Sequence, residues 1–99
     1  MTQPTPQVSD TTSAWKQLFD HWPADMAKSG ALVTSWGEQI AFRDFSLTNA
    51  MLIIERRTPD SVGTRQVILP LHRIDALKIV DPVDSAVFAQ MGFHGLKPR

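Results

Sequence analysis

Residues 31–80 carry five short apolar runs separated by turn residues, the pattern of a small antiparallel sheet. The second run is irregular. Ile40 and Phe42 alternate with polar neighbours, and so do Phe45 and Leu47, yet the two pairs are out of phase by one residue. An extra residue near Arg43 and Asp44 predicts a β-bulge or sharp bend, the device by which a strand turns a corner and a small sheet begins to close.

Ahead of the sheet, Trp15, Leu18, Phe19 and Trp22 fall at i, i+3, i+4 and i+7, which predicts an amphipathic helix starting at Ser13 and barred from simple continuation by Pro23. The stripe is expected to dock on the domain's own sheet. Its alternative use is a subunit or partner contact, because aromatic side chains are favoured interface anchors. Residues 1–12, with Pro4 and Pro6 among polar neighbours, are expected to form a disordered arm.

The expected strands cover residues 31–36, 39–45, 50–54, 65–69 and 76–80. Gly37 and Glu38 suit a two-residue type II′ turn between the first two. The unbroken apolar run 50–54 suggests a strand covered on both faces. Pro70 marks a strand end or an edge, because proline cannot donate to a ladder. After the sheet, Asp81, Pro82, Val83 and Asp84 combine capping and first-turn residues, and Val83, Ala86, Val87 and Met91 continue as one face of a C-terminal helix. Gly92 suits the left-handed residue that ends it, with Phe93 folding back on Phe88, and residues 93–99 are expected to fray. The fold class is therefore α+β: a small, strongly bent five-stranded antiparallel sheet or partly closed β-barrel, with a helix at each end and one domain over residues 13–92.

Composition narrows the function more than it defines it. The chain has 99 residues, 42% hydrophobic and 20% charged, which fits one globular core. It has no cysteine, which removes disulfides, thiolate catalysis and thiolate-bound zinc. Ten basic and ten acidic residues cancel, against a protein whose main task is wrapping nucleic acid, and no DNA partner is expected. The absence of a leader pattern or a membrane-length apolar run leads to the expectation of a cytoplasmic protein without membrane contact.

Candidate chemistry is sparse. His21 and Asp25 are spaced i, i+4 but lack a third ligand, so no metal site is assigned. Asp81 and Asp84 are accounted for by helix-start chemistry, and no Gly-x-Ser-x-Gly elbow frames a serine. No catalytic residue and no cofactor are assigned. The expected function is a non-catalytic binding or assembly module, self-associating or bound to a protein partner, with Trp15, Leu18, Phe19 and Trp22 as candidate interface residues. The polar segments 46–49 and 72–75, carried by apolar strands, are the other candidate binding surfaces.

A helix followed by five short strands, the second strongly bent, resembles the Sm-like family of small β-barrels that assemble into rings. The resemblance covers about residues 13–80. In that family an asparagine after the second strand and a basic turn between the fourth and fifth strands build a uridine-binding pocket. Asn49 and the segment His72, Arg73, Ile74 stand near those places, and the latter looks like the His-x-Ile turn of the bacterial RNA-chaperone branch. The resemblance thus implies an RNA-binding ring using Asn49, His72 and Arg73. The second strand carries no glycine of the kind usual in that family. The strand count also fits an SH3-like barrel, a pleckstrin-type sheet or an open sheet packed under helices.

Overall fold

The computed structural model describes residues 10–97, in which helix α1 (Asp10–Asp20) precedes strands β1 (Gly30–Thr34), β2 (Gln39–Leu47), β3 (Met51–Arg56), β4 (Gln66–Pro70) and β5 (Ile74–Lys78). A 3-10 turn, Leu71–Arg73, joins β4 to β5, and a 3-10 helix, Ser85–Met91, follows the sheet. All strand pairs are antiparallel, in the order β4-β3-β2-β1-β5.

The bulge is where the phase slip placed it. Residues 39–42 of β2 pair with β1, residues 42–47 pair with β3, and the register shifts between Phe42 and Asp44. Burial follows: Ile40, Phe42 and Phe45 point inward while Arg43 and Asp44 are both exposed. The Asp44 carboxylate accepts the Phe45 N–H at 2.8 Å, satisfying a donor that the irregular ladder would strand. Lys28 closes the corner from outside, donating to the Phe45 carbonyl at 2.7 Å, pairing with Asp44 at 3.1 Å and lying 4.4 Å from the Phe45 ring centroid.

The sheet is curled. Flat, five strands would hold their outer edges about 19 Å apart at ~4.8 Å per spacing. Yet β4 and β5, the two edges, are joined by only three residues of 3-10 turn, which advance roughly 6 Å. No ladder connects β4 to β5, so the sheet bends toward closure without completing a hydrogen-bonded barrel.

The interior of the curl holds Leu32, Ile40, Phe42, Phe45, Leu52, Ile54, Leu69, Leu71 and Ile74, with Phe19 of α1 laid on top. Phe19 meets Phe45 edge-on at 4.9 Å and stacks beside Trp22 at 5.9 Å. Trp15, Leu18 and Trp22 flank it half-buried, and the Trp15 indole donates to the Ile74 carbonyl at 3.2 Å. The apolar stripe of α1 is therefore used within the chain.

Several boundaries differ from expectation. Helix α1 begins at Asp10, ahead of Ser13, and Thr12 is buried, so the end of the expected arm belongs to the helix. Residues 1–9 lie outside the described residues. Strand β3 is covered on one face only: Leu52 and Ile54 are buried while Met51 and Ile53 are each 37% exposed. The β1–β2 connection is not a two-residue II′ turn. Gly37 donates to Thr34 at 3.0 Å and itself takes a left-handed conformation, φ 86, a longer turn finished by a glycine bulge. Strand β5 begins two residues earlier than expected, directly after the 3-10 turn.

The C-terminal helix is a 3-10 helix, capped by Asp84 and not by Asp81: the Asp84 side chain accepts the Ala86 N–H at 3.0 Å. Gly92 ends it at φ 100, the left-handed residue expected there, and Phe93 meets Phe88 through the backbone, its N–H donating to the Phe88 carbonyl at 3.2 Å while its ring stays exposed. None of its residues is buried. Seven residues whose apolar face is only half-buried have little of the packing that supports an α-helix in water, and the tighter turn prevails.

Candidate functional site

The exposed chemistry gathers where the 3-10 turn Leu71–Arg73 crosses between the sheet edges. On one side, Leu71 donates its N–H to the Ala50 carbonyl at 2.9 Å, which draws the 48–50 turn, shorter than the expected 46–49 corner because β2 runs on to Leu47, against the 3-10 turn. Inside that turn Thr48 caps Ala50 and Met51 through its hydroxyl, at 3.3 and 3.0 Å. Asn49 and His72, two of the three residues singled out for RNA, are exposed next to this junction.

Arg73, the third, is exposed and reaches the other way. Ser35 donates its N–H to the Arg73 carbonyl at 2.7 Å, and Arg73 Nε donates to Ser35 Oγ at 2.7 Å. The guanidinium lies 5.8 Å from the Trp36 ring centroid, within cation–π range. Trp36 Nε1 donates to Glu38 Oε1 at 3.0 Å, and Glu38 Oε2 is 3.7 Å from Arg56 Nη1. Among the described residues Arg73 makes no ion pair. An exposed tryptophan is thus held in a fixed pose beside an unneutralised guanidinium. The pattern reading missed Trp36 because it placed the residue inside the first strand; the glycine after it was the available sign of a turn.

A second surface is apolar. On the outer face of the β3–β4 ladder, Ile53 pairs with Ile68 and Met51 with Pro70, and Ile68 is 65% exposed. β4 is also a sheet edge, and Gln66–Pro70 contains no charged residue. Charged side chains are a common means of blunting such an edge, and this edge has none.

The remaining candidates resolve into local structure. Trp15, Leu18 and Trp22 pack against the core and Phe19 lies within it. His21 Nδ1 is 2.7 Å from the Gln17 carbonyl on its own helix, and among the described residues no group of three His, Asp or Glu is placed to hold a metal. Ser29 Oγ donates to Asp81 at 3.1 Å. Three surface carboxylates, Asp44 exposed and Glu55 and Asp60 half-buried, sit below their ordinary range. Asp44 is lowered first by its hydrogen bond from Lys28, Glu55 by Arg43 and Asp60 by the Thr64 N–H, which fastens the β3–β4 loop. No described helix is long and apolar enough to cross a membrane.

Comparison of the chain with family models, with curated proteins and with solved structures finds no match in any of the three.

Proposed function

We propose that this chain is a non-catalytic assembly module whose first partner is a second copy of itself, joined through the edges of the sheet. The observation that carries the reading is β4: an unpaired strand edge without a charged residue, flanked by exposed Ile68, Ile53 and Met51. Pairing β4 of one copy with β5 of the next satisfies backbone groups on both and sets a further strand alongside Ile68. Such a contact is head-to-tail, so it closes into a ring when the rotation per copy divides a full turn. Light scattering after size exclusion, over a range of concentrations, tests it. A multiple of the chain mass is expected, reduced to one chain by Ile68→Lys with the fold intact by circular dichroism. A single-chain mass at every concentration overturns the proposal.

A second reading, an Sm-like RNA-binding ring, is favoured by one observation: the Leu71–Ala50 hydrogen bond that brings the Asn49 turn against the 3-10 turn that carries His72. Fluorescence anisotropy with labelled oligouridine at low salt is its test. Binding weakened by Arg73→Ala and by Asn49→Ala supports it, and no binding, or indifference to Arg73→Ala, rules it out.

A further inference from the structure

We infer that Trp36 and Arg73 form a stacking site for a nucleobase and its phosphate, distinct from the Asn49 side of the 3-10 turn. The inference deepens the RNA reading and does not depend on ring assembly.

Trp36 is 51% exposed at the tip of the β1–β2 turn, yet it is not loose. Its indole N–H is committed to Glu38, and its ring lies beside a guanidinium that Ser35 anchors. Ser35 and Arg73, 38 positions apart, are bridged at both backbone and side chain, so the pair is assembled before a ligand arrives. With the guanidinium over the ring, the π-surface left for a base is the exposed remainder of Trp36, and among the described residues the adjoining positive charge has no ion-pair partner.

The immediate surroundings choose among ligands. A protein anchor tryptophan sits within an apolar patch, whereas Trp36 has Ser35, Gly37, Glu38 and Arg73 about it; the exposed Met51, Ile53 and Ile68 lie on the β3–β4 ladder. A cationic ligand is disfavoured by Arg73, and the Glu38 carboxylate already serves Trp36 and Arg56. An aromatic ring that also carries negative charge satisfies both remaining features. Base–aromatic stacking accepts any base, and an arginine beside it meets the phosphate. The same chemistry comes from a free nucleotide or from a single strand.

Anisotropy with fluorescein-labelled hexa-adenosine and hexa-uridine RNA at low salt, with AMP as competitor, tests the site on the full chain. Trp36→Ala is expected to weaken binding of both oligomers roughly 5- to 150-fold, the range for one stacked base. Trp36→Phe, which keeps a ring, is expected to restore most of the affinity. Competition by AMP that is lost in Trp36→Ala identifies a nucleotide site; RNA binding without AMP competition identifies a single-strand site, and either supports the inference. Weakening by Asn49→Ala with no effect of Trp36→Ala overturns it while leaving the RNA reading in place. No binding of either oligomer or of AMP overturns both. Thermal melts of the two Trp36 variants check that the fold persists, and should Trp36→Ala not fold, equal binding by Trp36→Phe and Trp36→Leu overturns the inference.

Discussion

Replacing Phe19 by alanine tests the central packing claim, that the aromatic stripe of α1 belongs to the core. Phe19 is 3% exposed and meets three other rings, with centroids 6.1 Å from Trp15, 5.9 Å from Trp22 and 4.9 Å from Phe45. Truncating a buried phenylalanine costs about 3–5 kcal/mol through lost transfer energy and the cavity left behind. A domain of this size is stable by roughly 5–15 kcal/mol in all, so the variant loses a large share of its margin. At about 4–8 °C per kcal/mol, the melting temperature falls by roughly 12–40 °C. Urea unfolding followed by circular dichroism measures the loss directly, with an unchanged slope as the check that the denatured state is comparable. Phe19→Leu fills much of the volume but loses the edge-on contact with Phe45, and about 1–2 kcal/mol is expected. Its oligomer mass should equal that of the unaltered chain. A loss under about 1 kcal/mol for Phe19→Ala would refute the docking of α1, and a change of mass in Phe19→Leu would return the stripe to the interface.

Three further outcomes follow from particular contacts. A Cβ on Gly30 would lie 2.7 Å from the Lys78 carbonyl oxygen, so Gly30→Ala must push β1 from β5 and is expected to cost about 1–3 kcal/mol; an equal urea midpoint would contradict the close approach. Asp44 titrates below its ordinary 3.8, with the Lys28 hydrogen bond as the largest cause. Its stabilising contribution is therefore present above that value and is lost as the pH falls through the lowered one. Lys28→Met should move the Asp44 midpoint up toward 3.8 in an NMR titration, and no movement would remove Lys28 as the cause. The stretch after β5 has no buried residue up to Leu96, so limited proteolysis is expected to cut there before it cuts inside the sheet; first cuts within β2 or β3 would contradict this.

Local pattern alone determined the α1 stripe, the five strands, the bulge at Arg43 and Asp44 and the left-handed cap at Gly92. Each rests on interactions between residues near in sequence: a helical period, an alternation and its slip, or a turn that only glycine enters without strain. The same reasoning marked the 46–49 and 72–75 segments as polar loops. It carried no information that they adjoin, because the Leu71–Ala50 bond joins positions whose proximity depends on β3 pairing with β4. Only the tertiary structure decided the rest. The outer face of β3 stays open because nothing in the described chain packs over it, a fact about neighbours that an apolar run cannot express. The C-terminal pattern, correct in its stop, became a 3-10 helix whose apolar face, Val87, Phe88 and Met91, is only half-buried. Trp36 and Arg73 come together because β1 and β5 are neighbours in a sheet whose edges are drawn together by three residues, and pairing between distant segments is set by the packing of the whole core and not by any one of them.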